Sequence, residues 1–244
     1  MTPAAARLAG DAIDAHGGLE RWRGLRAVTL ELSSGGLAFT SRLQPRALRA
    51  VTATVASKAQ HVTLQDFPRP GWASEYEGGR MCMRGPGGRR HRDEIDRSAF
   101  RRLRRQVRWS SAELGYFAAC ALWTYVSLPF VLGADDVQLR SLGPWDEGGE
   151  HLDRLEVRLP ARIHTHSPVQ VLHLDADRRI RRLDYTAQLF GQWATAAHWC
   201  SGHRWFEGLL VPTRRRVVPR RRDGRARSGP LLVWIDVHGA RVVT

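Results

Sequence analysis

Residues 112 to 132 read "AELGYFAACALWTYVSLPFVL", an apolar segment of helical composition whose one charged residue is Glu113. The apolar run from Leu114 to Leu132 is near the lower length limit for crossing a bilayer, roughly 17 residues. A membrane span is nevertheless a poor reading. Pro129 interrupts the run, and strand-forming sequence flanks it on both sides, so it would be a lone span in mid-domain. A helix that is apolar on nearly every side is buried, and burying this one takes a large concave surface.

The flanking sequence predicts such a surface. From Arg26 onward, "AVTLELSS", "LAFTSRLQP", "LRAVTATVA" and "QHVTLQDF" are short β-prone runs bounded by Gly, Pro and Ser, the pattern of an antiparallel meander. "GWASEYEGGRMCMRGPGGRRH" continues it, with turns at Gly78-Gly79 and Gly85-Pro86-Gly87-Gly88. After Gly133 the alternation is clean. In "RLEVRLP", Leu155, Val157 and Leu159 share one face, and in the hairpin "VQVLHLDADRRIRRLDYTAQLF" Leu183, Tyr185, Ala187 and Leu189 oppose Arg182, Asp184, Thr186 and Gln188. "GQWATAAHWCSGHRWF", "GLLVPTRRRVVP" and "GPLLVWIDVHGARVV" add three strands. About ten antiparallel strands exceed what a flat open sheet holds, so the sheet is expected to curl. The fold class is α+β, mainly antiparallel β. A helix over 3–16, with Ala5, Leu8, Ala9, Ala12 and Ile13 on one stripe and Gly17-Gly18 as its stop, precedes the sheet, and a helical segment over 98–132 interrupts it. At 244 residues, 43% of them apolar, the chain is within the size of a single β-rich domain spanning 1–244.

Charge and cysteine usage bound the function. The net charge of +14 and a pI near 11.2 point toward polyanions, but Lys58 is the only lysine, and so complete a replacement of Lys by Arg is the mark of genomic base composition. The arginines cluster at "RRLRRQVR" (101–108) and "RRRVVPRRRDGRAR" (214–227), which leaves a polyanion-binding module as a third reading behind two others. Nucleic acid is not the expected partner. Cys82, Cys120 and Cys200 are odd in number and far apart, as free thiols in a reducing compartment are. Arg7, Asp11 and Asp14 break the N-terminal stretch where a secretory signal has an unbroken apolar core, so the expected compartment is the cytoplasm.

The order of elements, an N-terminal helix running into "AHGGLERWRGLRAVTLEL" (15–32), a curling antiparallel sheet, an inserted apolar helix and a late "FEGLLVPTRRRV" (206–217), resembles the bacterial lipoprotein carriers of the Lol type and the related outer-membrane lipoprotein-sorting proteins. The resemblance covers most of the chain, and "GGLERWRGL" and "EGLLVPTR" carry it most specifically. It implies an unclosed β-barrel, a half-barrel of about ten strands with helices over its concave face, enclosing a hydrophobic cavity for acyl chains or other apolar ligands. Those carriers are exported. With neither a signal nor a lipobox cysteine read here, the expectation is a chain that keeps the cavity with a different cargo or an acquired chemistry.

Within that frame "AHWCSGHRWF" (197–206) is the densest cluster of chemistry-bearing residues. On a strand, His198 and Cys200 share a face, and His203 lies beyond Gly202. His and Cys are zinc donors, but the His-x-Cys-x-x-His spacing matches no zinc signature and the fourth ligand is not local, so no metal is expected. Cys200 has nothing local beyond the histidines to lower its pKa as a nucleophile. The stretch reads best as a pocket wall with a polar handle, and the residues expected to contact a ligand are Tyr116, Trp123, Tyr125, Trp199, Cys200, His203 and Trp205. If the cavity performs chemistry, Asp184 with His166 or His198 is the best acid–base pair, with Tyr185 beside it. The ordinary alternative is an ion pair of Asp184 with Arg182. The sequence carries no phosphate loop, dinucleotide fingerprint or His-Glu-x-x-His, and no cofactor is expected. The leading reading is therefore binding of a hydrophobic small molecule or acyl chain, ahead of a cofactor-independent cyclase, isomerase or hydrolase using the same cavity.

Overall fold

The computed structural model describes residues 2–46, 48–88, 90–95, 100 and 107–244, with side chains for all of these except 90–94. Arg101 to Arg105, the core of the first arginine cluster, and the start of the expected helical segment over 98–132 lie outside the described residues.

Thirteen strands follow one another in the chain: β1 Ala27–Gly35, β2 Val51–Ala56, β3 His61–Gln65, β4 Ala73–Glu77, β5 Arg80–Arg84, β6 Arg90–Ile95, β7 Gln138–Glu147, β8 Glu150–Arg158, β9 Val169–Leu174, β10 Ile180–Thr186, β11 Thr195–Phe206, β12 Leu209–Pro219 and β13 Val233–Val243. All belong to one antiparallel sheet in the order β6-β5-β4-β3-β2-β1-β13-β12-β11-β10-β9-β8-β7. Two meanders are thus joined where the first strand meets the last, Ala27 opposite Val243 and Gly35 opposite Trp234. β6 and β7 are the two edges, and the curled sheet stays open between them. The strand count exceeds the ten or so expected because the Gly-rich 73–95 region resolves into three short strands.

Among the described residues four α-helices accompany the sheet: α1 Pro3–Ala15, α2 Leu19–Arg23, α3 Leu37–Thr40 and α4 Ser111–Val131. α1 starts where the Thr2 hydroxyl accepts from the Ala5 N–H and stops at the glycine pair expected to end it. The run "LAFTSRLQP", expected as a strand, begins with α3 instead. Gly36, at φ +127°, packs its Cα against the Leu232 backbone, where a Cβ would collide, and the turned chain donates Leu37 and Ala38 N–H groups to the Leu231 and Leu232 carbonyls. That close approach overrides the β propensity of the run and drops Phe39 into the core.

α4 is the apolar helix with which the sequence reading began. Its N-terminus is closed by a reciprocal capping box, the Ser110 hydroxyl accepting from the Glu113 N–H and the Glu113 carboxylate from the Ser110 N–H. It is the one helix among the described residues long and apolar enough to cross a membrane, and it lies buried across the concave face over β2 to β6. α1 packs over β7 and β8 on the other half, and Trp22 of α2 stacks on Phe130 at 4.5 Å between ring centroids, tying the N-terminal helices to the end of α4.

Candidate ligand cavity

α4 does not fill the trough evenly. Between its C-terminal half and the central strands, inward residues of β1, β10, β12 and β13 line a narrow recess with a cavity volume of about 40 Å³. Its wall is Val28, Leu30, Ile180, Leu183, Ile235 and Val237, closed above by Leu122, Tyr125, Val126 and Pro129 and at one end by His16, with Arg215 on its floor. Further along α4 a second recess of about 30 Å³ lies between Leu32, Phe39, Leu48, Leu64 and Phe117. Leu122, Tyr125 and Ile235 line both, so the Tyr125 ring is the partition between two compartments of one apolar trough.

The polar atoms gather at that partition. The Tyr125 and Tyr185 hydroxyls are 3.2 Å apart, and burial pushes the Tyr125 phenol up to about 12. Beneath Tyr125, 4.6 Å between ring centroids and edge to face, is His198, fully buried with no hydrogen-bond partner on either ring nitrogen. Burial first, and the Arg215 charge second, hold His198 well below the usual imidazole range. The Arg215 guanidinium reaches the Cys200 thiol at 3.2 Å and the Tyr125 carbonyl at 3.3 Å. Desolvation pushes the Cys200 thiol up, away from nucleophile character. At the end of the recess His16 and His203 face each other, 6.4 Å between centroids, each lowered to about 4 mainly by desolvation.

The candidate residues fall into separate places. Tyr125 and Tyr185 line the trough, with Cys200 bonded to Arg215 at its floor. His203 follows the bend at Gly202 (φ +63°) and pairs its Nε2 with the Ile180 carbonyl at 3.1 Å. Tyr116 is packed in the aromatic core against Tyr76 and Phe100, away from either recess. Trp123 is buried as a peg, its indole N–H donating to the Ala56 and Ala59 carbonyls at the β2–β3 turn. Trp205 is 60% exposed. Trp199 lies on the outer face, opposite Arg182 in register, with the guanidinium carbon 5.1 Å from its ring. Of "AHWCSGHRWF", His198 and Cys200 turn to the inner face, beneath Tyr125 and beside Arg215, and neither lines either recess; Trp199 turns outward because successive side chains point to opposite faces.

The acid–base set divides the same way. His198 stands opposite Leu183 and Asp184 opposite Ala197, so the sheet itself separates Asp184 from His198. Asp184 instead sits in a buried polar cluster on the outer face. Arg182, fully buried, donates its Nε to one carboxylate oxygen at 2.6 Å and Nη2 to the other at 2.9 Å. The same guanidinium also pairs with Glu147 and bonds the Gly224 carbonyl, and His173 meets Asp184 at 3.2 Å. The ordinary reading of Asp184 holds, with two further partners that sequence reasoning missed, His173 and, at 3.7 Å, Arg220, while Glu147 joins the cluster through Arg182. His166 donates or accepts nothing toward Asp184. Its Nε2 is 2.9 Å from the Phe117 carbonyl and its ring stacks on Phe117 at 4.4 Å, a brace between loop and helix. The second arginine cluster is likewise dispersed, with Arg215 inside, Arg216 paired with Asp236 at 2.7 Å and Arg221, Arg222, Arg225 and Arg227 exposed. Among the described residues no three His, Cys, Asp or Glu side chains converge as metal ligands.

Arg215 is the site residue that sequence reasoning passed over. The signal was present: strict alternation along "VPTRRRVV" puts the middle arginine on the face of Val217 and opposite the flanking two.

No family model and no curated protein sequence matches the chain. Solved structures do. A DUF1329 family protein from Desulfovibrio piger is 15% identical with a TM-score of 0.55, over 99% of this chain and 94% of that one. A LolA superfamily protein from Nitrosomonas europaea is 13% identical with a TM-score of 0.54, over 98% and 94%. A domain assigned to outer membrane lipoprotein sorting from Vibrio parahaemolyticus is 9% identical with a TM-score of 0.55, over 99% and 93%. At these identities the likeness is one of fold: the chain shares the unclosed half-barrel fold of these structures, the fold its sequence resemblance implied.

Proposed function

We propose that this half-barrel binds a hydrophobic small molecule or acyl chain in the trough between α4 and the central strands. The observation that carries the reading is the pair of apolar recesses left beneath α4 and sharing Leu122, Tyr125 and Ile235, since an apolar concavity with a few convergent polar groups is the usual form of a small-ligand site. The shared fold with a domain assigned to lipoprotein sorting supports it. The separation of Asp184 from His198 removes the pair on which acid–base chemistry in the trough depended.

The test is calorimetric titration with 1-decanol, a neutral single-chain probe. The full chain is expected to bind it saturably, and Leu122→Trp, which fills the wall common to both recesses, is expected to weaken binding at least about tenfold while the variant stays folded, an effect the size of one bulky side chain displacing part of an apolar ligand. Absence of binding, or binding indifferent to the tryptophan, contradicts the reading.

A further inference from the structure

Among the described residues two arginines are buried, and they are treated oppositely. Arg182, on the outer face, is neutralised by Asp184 and Glu147. Arg215, on the floor of the trough and only 8% exposed, has no carboxylate partner among the described residues. Its two hydrogen bonds go to neutral acceptors, the Cys200 thiol and the Tyr125 carbonyl, out of the five N–H donors a guanidinium offers. Removing a permanent charge from water without a counter-charge costs several kcal/mol after relaxation, and arginine cannot shed its proton to avoid that cost.

The groups around it make the imbalance larger. The titratable side chains on which Arg215 acts include His16, His198 and His203 and the Tyr125, Tyr185 and Cys200 hydrogen donors; Asp175 acts on His16 from the same end, and among the described residues no carboxylate lies within ion-pair distance of the guanidinium. Of the two tyrosine O–H groups at the partition, one serves the 3.2 Å bond between them and the other remains to be given to a ligand. His198 beneath them has both nitrogens unpartnered. Donors and positive charge therefore converge at one point of an otherwise apolar trough, with no acceptor of matching charge.

Resting on the reading of the trough as a binding site, we propose that its ligand is a single-chain amphiphile with an anionic head, a carboxylate or a phosphate, and that Arg215 is the anchor for that head. An oxyanion there completes the charge pairing that Arg215 lacks, and the chain behind it continues past Leu122 and Ile235 along the apolar trough. A cationic head meets Arg215 repulsively. A neutral head leaves the buried charge uncompensated.

The experiment titrates the full chain at one pH with decanoate, decyl phosphate, 1-decanol and decyltrimethylammonium. Decanoate or decyl phosphate is expected to bind at least about tenfold more tightly than 1-decanol, the worth of a charge-assisted hydrogen bond in a dry site, and decyltrimethylammonium most weakly. Whichever anion binds more tightly identifies the head as carboxylate or phosphate. Arg215→Met is expected to erase the anion preference, so that decanoate and decyl phosphate bind no more tightly than 1-decanol; Arg215→Gln serves if the methionine variant does not fold. Equal binding of decanoate, decyl phosphate and 1-decanol by the unaltered protein overturns the anionic-head inference and leaves the cavity reading standing. An anion preference that persists in either folded variant overturns the assignment to Arg215. Binding of none of the four probes overturns the cavity reading and the inference together.

Discussion

Asp184 illustrates what one residue's neighbours decide. Period-two alternation already put Asp184 and Tyr185 on opposite faces, so the two could not share a cavity as acid–base partners. What alternation cannot give is which face turns inward, or the register that sets Leu183 against His198. Both come from contacts between strands, not from the strand itself. The same ambiguity hid Arg215 within a run of arginines that reads as surface. On the outer face, the Arg182 guanidinium is held between Asp184 and Glu147 under the 220–227 loop, which binds the cluster through the Gly224 carbonyl and the Ala226 N–H. Arg182→Met leaves the buried Asp184 carboxylate and the Glu147 carboxylate without the guanidinium they share, and truncating one partner of such a network costs about 3–5 kcal/mol. Denaturant unfolding is expected to show that loss with 1-decanol affinity preserved in the folded variant. A change under about 1 kcal/mol, the range of exposed ion pairs, contradicts the assignment of this cluster to stability.

At the scale of the element, α4 was the most legible feature and α3 the least. Apolarity on all sides required burial for 112–132, whereas the β-prone 37–45 run was turned by Gly36 and the Leu231–Leu232 backbone, a contact nearly two hundred residues away in sequence. Glycines in the two long helices give a paired test of how α4 is seated. A Cβ at Gly115 would come 2.8 Å from Cε1 of the fully buried Phe67 and 3.2 Å from Cε of Met81, neither free to move in a packed core. At Gly10 of α1 nothing lies within 4 Å of the added carbon. Gly→Ala adds about 0.8–1 kcal/mol of helix propensity at either position, but overpacking a dense core costs about 1–3 kcal/mol. Thermal denaturation is therefore expected to show Gly10→Ala raising Tm and Gly115→Ala lowering it. A rise at both positions means that α4 rides higher over β3 to β5 than the structure has it.

Across the whole molecule the curl of the sheet followed from too many antiparallel strands for a flat one, and openness followed from the Lol-type resemblance. The pairing of β1 with β13 is a different matter, because nothing local in "AVTLELSS" or "VWIDVHGARVV" says that the ends of the chain meet. That pairing makes one trough out of two meanders: it sets Leu32 of β1 opposite Val237 of β13, and Val28 and Leu30 of the one strand line the same recess as Ile235 and Val237 of the other. The account stands or falls on where an apolar ligand sits. Intermolecular nuclear Overhauser effects between protonated 1-decanol and methyl-labelled protein locate it directly. The expected contacts are to the methyls of Leu30, Leu122, Val126, Ile235 and Val237, on both meanders and the helix between them. Contacts confined to exposed residues such as Leu43 or Leu231, with none to Leu122 or Ile235, would place the ligand on the surface and contradict a binding cavity under α4.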